Sequence, residues 1–433
     1  MLPKRFSFGL VLALAASSQA ARAQHTEHEH EHNPPTGGVT LDVATVRHRA
    51  EAAGPGVLPA RVAGAEASRT RSAVNLPFSH PPRLEVDVGR RTNITPGGTG
   101  IDVTARVWQE FSLGGLGSAR AGYADALKDR AKANAELARR DAIARAMNAW
   151  VESRYGREVL LLRKQSAGAA EEMLRIAEVR VRAGTASPSE AALARSVVGS
   201  THAAVLAAEG MIIVADGDLR YATALPPDER LNPVGDLAQT DDRPIDEEAT
   251  VALAQRNHPT ALIARTQANA SERGAEVATA SGRPFVGLGL SYTHEGTGER
   301  VVGGMVSIPL PFVNPNVLEA SVLRGEAAVG RAQVVDVQAG VAREVRQAVH
   351  ERYHARQVRE ELWNGAVLPG REAMREIMKR YEAGAVDLTT ALASRREVLI
   401  AEEGFLAAAA DVQRADIRLE HAVGGPLPRK MSR

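Results

Sequence analysis

The sequence predicts a mainly α-helical chain with a β-barrel part, assembled from an internally duplicated helix, hairpin, helix, helix unit. Three observations predict it. Proline is absent between Pro96 and Pro188 and aromatic residues make up only 4% of the chain, a composition suited to long helices rather than a globular enzyme core. Heptad rows recur at a fixed displacement: Val198, Val205, Ile212 and Leu219 return as Val398, Phe405, Val412 and Leu419, each 200 positions later. Short segments at matching places in both halves alternate apolar and polar residues with period two.

The chain opens with Lys4 and Arg5, the apolar run Phe8 to Ala16 and the small-residue pattern Ala21-Arg22-Ala23, which read as a signal peptide over residues 1–23. A His-rich, disordered tail is expected over 24–38. Repeat 1 follows over 39–224, an acidic, proline-containing linker over 225–248, repeat 2 over 249–425 and a short tail over 426–433. With no cysteine, disulfides and thiolate chemistry are excluded. Lys and Arg number 53 against 52 Asp and Glu and are interleaved with them, so nucleic acid is not an expected partner. After the signal peptide no uninterrupted apolar run approaches the roughly 20 residues of a membrane-spanning helix. Any membrane crossing then falls to strands.

In repeat 1, Leu84, Val86 and Val88 alternate with Glu85, Asp87 and Gly89, and Ile101, Val103, Ala105 and Val107 with Asp102, Thr104 and Arg106, giving a hairpin over about 82–112. In repeat 2, Val286, Leu288, Leu290 and Tyr292 alternate with Gly287, Gly289, Ser291 and Thr293, giving a hairpin over about 284–311. An ordinary half-buried hairpin shares this pattern with a barrel strand between lipid and a watery lumen. Four strands cannot close a barrel, so a barrel requires several chains.

Helices fill the rest, over about 118–223 and 316–424, and Ser118 to Arg182 can run as one rod of roughly 65 residues, about 100 Å long. Two heptad stripes mark its second half: Leu160, Ala167, Leu174, Val181 and Leu162, Ala169, Ile176, Ala183. Two residues along a helix turn it by about 200°, so the stripes lie on nearly opposite sides and need neighbours on both. Glycine turns interrupt the rods at RAGTAS (182–187) and RYEAGAVD (380–387), with Ser187 and Asp387 placed to cap the helix that follows.

The stretches IDEEATVALAQRNHP, VSIPLP, LPGREAMREIMKRYEAGAVDLTTAL and QEFSLGGLGSARAGYADA resemble, in combination, the TolC-type outer-membrane factor family, and most nearly its CzcC-like heavy-metal branch. The resemblance implies a homotrimer whose hairpins form one twelve-stranded barrel in outer-membrane lipid of a Gram-negative bacterium, continued through the periplasm by a helical tunnel. It implies as partners a periplasmic adaptor (membrane fusion protein) and an inner-membrane transporter of the resistance-nodulation-division class. It implies no enzyme activity and no cofactor. Arg182, Gly184, Ser187, Gly384 and Asp387 fall at the implied adaptor-docking tips. Arg380 and Tyr381 resemble positions that hold the resting mouth closed through interhelix hydrogen bonds. Acidic rings that some members carry beyond the second tip have one counterpart here, Asp387, because Leu388, Thr389 and Thr390 follow it.

Two histidine patterns stand apart. His350, Glu351 and His354 match the H-E-x-x-H spacing of zinc peptidases, in which a helix presents two imidazoles and a general base. Set against repeat 1, His350 meets Glu152 and His354 meets Gly156, and a long helix offers no cleft, so the pattern does not predict a peptidase. His25, His28, His30 and His32, interleaved with Glu27, Glu29 and Glu31, form a candidate site for divalent metal cations; a polar leader that tethers the first helix would read the same way. The same channel serving drug efflux or type I protein secretion, and a soluble coiled-coil scaffold, stay open as alternatives.

Overall fold

The computed structural model describes residues 38–74, 81–92, 99–112, 114–239, 244–308 and 316–424. The expected signal peptide over residues 1–23, His25, His28, His30, His32 and the last nine residues lie outside them. The described residues from Val39 to Gly424 cluster as one compact unit.

The first half runs β1 (Val39–Leu41), α1 (Val43–Ala53), α2 (Val57–Ala73), β2 (Arg83–Thr92), β3 (Thr99–Ser112), α3 (Leu116–Arg182) and α4 (Pro188–Ala222). The second runs β4 (Leu231–Pro233), α5 (Glu247–Asn257), α6 (Pro259–Ser281), β5 (Phe285–His294), β6 (Arg300–Ser307), α7 (Val317–Glu361), a π-helical turn (Leu362–Val367), α8 (Leu368–Glu382) and α9 (Leu388–Val423). The order of elements is the same in both halves. Where one leading helix was expected in each repeat there are two, because prolines at matching places break it. Pro55 lies in the turn between α1 and α2, whose Gly56 takes φ +89°, and Pro259 opens α6. Asp42 and Asp246 start α1 and α5 alike, their carboxylates accepting from the amides of Thr45 (2.7 Å) and Ala249 (3.1 Å).

The segment expected as a linker is partly structured. β4 pairs in parallel with β1, matching Val39 with Leu231, and Gly235 takes φ +135° beneath the ring of Trp150. A Cβ on Gly235 would stand 2.7 Å from that ring. Trp150 is 2% exposed and donates its indole N–H to the Leu41 carbonyl at 3.0 Å, tying α3 to the β1–β4 ribbon.

Near the sheet the helices lie side by side as α2, α3, α6 and α7; towards the turns α3 lies between α4 and α9, with α7 and α8 beyond α9. Their contacts are built on small residues. The buried positions of α6 are all Ala, Gly, Ser or Pro, and Gly330 of α7 approaches Ala268 so closely that an added Cβ would sit 3.0 Å from the alanine methyl. Ion pairs then stitch neighbouring rods: Arg157 of α3 donates twice to Asp216 of α4 (2.9 Å each), with Ser153 adding a third bond at 2.6 Å, and buried Arg352 of α7 pairs with Asp416 of α9.

Two expectations change. Along α3 the buried seam is Val159, Leu162, Ser166, Ala167, Ala170, Met173 and Ala177, which takes in Leu162 and Ala167 of the two stripes, while Leu160, Leu174 and Val181 are only half-buried. The seam packs inside the chain and the flanking leucines border it. α4 is also long and apolar enough, by length and composition, to cross a membrane: an 18-residue window has a mean hydropathy of 1.6. Isolated polar residues such as His202 and Glu209 hide this in a search for unbroken apolar runs. Only 6% of the window is buried, so α4 packs on α3 by one side and leaves Leu206 (68% exposed) and Ile213 (73%) bare.

Replacing Trp150 with alanine is expected to lower the unfolding free energy by about 3–5 kcal/mol, measured by chemical denaturation of the detergent-purified protein.

Candidate functional site

Two places concentrate the features that function requires: the sheet at one end of the rods and the paired turns at the other. The four strands form one antiparallel sheet in the order β2-β3-β5-β6, so the two hairpins meet through β3 and β5. The register stacks the alternation across all four strands. Val86 faces Ala105, which faces Tyr292, which faces Val302. One residue along, Asp87 faces Thr104, which faces Thr293, and the two threonine hydroxyls bond at 3.1 Å. One face is therefore apolar and bare, as at Val88 (69% exposed), Leu290 (70%) and Val306 (70%). The other carries Arg106 paired with Asp87, and Arg91 held between Asp102 and Glu295 at 3.1 Å each. β2 and β6 are its two edges.

The turns at the far end share one geometry. Gly184 and Gly384 adopt φ +73° and +75°. Thr185 donates to the Arg180 carbonyl (2.9 Å) and Gly184 to that of Val181 (3.0 Å); Ala385 and Gly384 repeat the pattern on Arg380 (2.8 Å) and Tyr381 (3.0 Å). Only a left-handed residue closes such a helix end, so glycine is needed at both places. Arg182, Gly184, Ser187, Gly384 and Asp387 are all exposed.

The caps differ. Asp387 accepts from the Thr390 amide at 2.7 Å, and its hydrogen bonds to Thr390 hold its carboxyl below the usual aspartate range. Ser187 makes no such bond: its hydroxyl pairs with that of Ser189 at 2.7 Å, and the Glu190 amide bonds the Ser187 carbonyl at 3.0 Å instead. The expected serine cap is therefore absent.

Arg380 and Tyr381 also part company. Arg380 is exposed and bonds Glu376 of its own helix at 3.2 Å. Tyr381 is fully buried among Met173 and Ala177 of α3, Ala194 of α4, and Leu388 and Ala391 of α9. The Arg180 guanidinium stands 5.4 Å above its ring, and the hydroxyl finds no hydrogen-bond partner. Burial pushes the phenol pKa up, opposed by Arg180. Arg380 thus bonds within its own helix, and Tyr381 joins the two turns by packing, with the Arg180 side chain of α3 against it. Arg180 escaped the sequence reading although the 200-residue displacement sets it opposite Arg380. Repeat 1 has Val181 where repeat 2 has Tyr381, and one tyrosine then inserts between both hairpins.

The H-E-x-x-H residues lie along α7. His350 and His354 are exposed, and Glu351 takes bonds from Gln347 (2.9 Å) and Arg418 (3.2 Å). Among the described residues no group of three His, Asp, Glu or Cys is placed to hold a metal ion.

Solved structures share this arrangement over nearly their whole length. The outer-membrane channel OprN is 17% identical with a TM-score of 0.73, covering 89% of this chain and 90% of its own. CusC, described for the conformational changes of folding and transmembrane channel formation, is 14% identical with a TM-score of 0.74, covering 90% and 93%. The open state of the Neisseria gonorrhoeae MtrE outer membrane channel is 17% identical with a TM-score of 0.74, covering 89% and 90%. The chain has the fold of these channels. No protein-family profile matches it, and no curated protein matches it in sequence.

Because the Tyr381 hydroxyl is unpartnered, Tyr381→Phe should leave thermal stability unchanged or raised, whereas Tyr381→Ala should cost about 3–5 kcal/mol in denaturant unfolding. The depressed Asp387 pKa stabilises the start of α9 above the ordinary aspartate pKa, and that contribution disappears as pH falls through the depressed value. Hydrogen-exchange protection of the Thr390 amide should accordingly fall on acidification in the parent and be low at every pH in Asp387→Ala.

Proposed function

We propose that three copies of this chain close into an outer-membrane channel, the exit duct of a tripartite efflux system that passes heavy-metal cations. The observation that carries the reading is the single four-stranded sheet with one apolar face, one charged face and two open edges. Joining the β2 edge of one copy to the β6 edge of the next pairs every strand, and three copies give twelve strands in a closed barrel. The apolar face then meets lipid and the charged face a watery lumen. The outermost helices support the same closure. Leu58 (68% exposed) on α2 and Leu206 on α4 border one flank of the slab, and Leu318 (75%) and Val335 (65%) on α7 border the other. Each flank covers the other when the ring closes.

The matching element order, the paired Asp42 and Asp246 caps and the twin glycine turns support an internal duplication. The channel works passively: an inner-membrane transporter of the resistance-nodulation-division class supplies the energy, and a periplasmic adaptor docks on the exposed turns around Arg182, Gly184, Ser187, Gly384 and Asp387. Arg380 and Tyr381 belong to the gate, Tyr381 by packing the second turn onto the first. The metal reading, with its CzcC-like affinity, draws on His25, His28, His30 and His32, whose neutral imidazoles suit late divalent cations and whose neighbouring glutamates add charge attraction.

The full chain should fractionate with outer membranes, migrate as a heat-modifiable trimer and form pores in planar bilayers; a soluble monomer without pores refutes the channel. A deletion strain should lose tolerance to one or more of zinc, cadmium, cobalt, nickel and copper, and removal of His25 to His32 should reduce that tolerance. Unchanged metal tolerance with lost drug tolerance or lost protein secretion moves the channel to another substrate.

A further inference from the structure

Where the rods meet the sheet, the chain gathers more positive charge than its own ion pairs use. β3 passes through Gly114 and Gly115 into α3, and α6 passes through Gly282 and Arg283 into β5. Beside these two crossings, with α7 along the other side, lies an open groove of about 630 Å³. Arg273 of α6, Arg283 just beyond it, and Arg324 and Arg331 of α7 all line the groove, and all four are exposed. Arg324 and Arg331 are two turns apart and so share one face of their helix.

Only two of the four are matched by carboxylates. Arg273 bonds both oxygens of Glu276, at 2.9 and 3.1 Å, and Arg331 reaches Glu272 at 3.3 Å. The other two rest on neutral acceptors: Arg283 donates to the Gly114 carbonyl at 2.8 Å and Arg324 to the Thr279 hydroxyl at 3.0 Å. Among the described residues neither has a carboxylate partner. Each spends one N–H of the five a guanidinium carries, which leaves most of the fork open. The groove is therefore positive on balance, four arginines against two glutamates.

The start of α3 adds to this field. Gly115 takes φ +72° and offers no capping side chain, and the Ser118 hydroxyl donates to the Gly115 carbonyl at 2.7 Å. The first amides of a 67-residue helix thus keep their partial positive charge beside the arginines.

We infer that this groove binds a multiply charged oxyanion of the phosphate type, taken by Arg283 and Arg324 with Arg273 and Arg331 beside them. A tetrahedral oxyanion presents acceptor oxygens in several directions and suits planar forks arriving from different helices. A soluble diphosphate and the headgroup of an acidic phospholipid both carry this chemistry. That headgroups stand at the level of the groove rests on the channel reading above; capture of the anion does not.

Pyrophosphate is the probe. Titrated calorimetrically into the detergent-purified full-length protein at low salt, it should bind at one site per chain and weaken as salt is added. Arg283→Gln with Arg324→Gln should weaken it by about tenfold or more. Glu276→Gln, which releases Arg273, should tighten it by about threefold, a gain that no misfolded variant would give. Arg175→Gln with Arg195→Gln removes the same charge near the first turn and should leave binding unchanged. Displacement of pyrophosphate by phosphatidylglycerol, but not by phosphatidylcholine, added to the micelles assigns the groove to a lipid headgroup; displacement by neither assigns it to a soluble phosphate. Absence of binding to the parent, or an equal loss in the variant near the first turn, overturns the site. A protein that binds pyrophosphate yet forms no pore retains the site and loses only the channel reading.

Discussion

A strand edge must place its amides and carbonyls somewhere, and β2 and β6 each lack a partner on one side among the described residues. Every other feature of the sheet end follows from that constraint. A four-stranded sheet cannot curl far enough to pair its own edges, and its face over Val86, Ala105, Tyr292 and Val302 is apolar. The rods inherit the problem, since α2 and α4 on one flank and α7 on the other leave leucine, isoleucine and valine uncovered. In the channel proposed above, closure with further copies answers both needs at once.

Within each copy the rods hold together in a way that suits a long, thin object. Alanine and glycine contacts bring axes close but bury little apolar area per residue, so the hydrophobic contribution of each contact is small. Bidentate pairs such as Arg157 with Asp216, and buried Arg352 with Asp416, set the lengthwise register that uniform alanine faces cannot specify. Both aspartates sit at the same place in the repeat, while their arginines do not, so each hairpin reaches the same seam by a different route.

Asymmetry enters at the turns. Both are closed by the same pair of hydrogen bonds around a left-handed glycine, yet only the second supplies a tyrosine to the space between them, and only the second rod is broken above it. Tyr381 packs the second turn onto the first, and Arg371 of α8 pairs with Glu402 of α9 at 2.7 Å.

The period-two segments, the proline-free rod, the glycine turns and the Asp387 cap were all legible in the residues, because each is set by interactions within a few positions of chain. The 200-residue displacement extended that legibility to the second half. What escaped were matters of distance: β4 folding back on β1, Trp150 settling over Gly235, the buried seam of α3 taking only Leu162 and Ala167 from its two stripes, and Arg180 reaching Tyr381 across two helices. Ser187 and Asp387 illustrate the boundary, since both have capping chemistry and only the geometry after Pro188 decides that the serine turns to Ser189 instead. By itself the sequence determined the elements, their order and their alternating faces, since helix caps, turns and strand periods are local. The tertiary structure alone decided that two hairpins 200 residues apart share one sheet with two open edges, because pairing and packing depend on which distant surfaces the rods bring together.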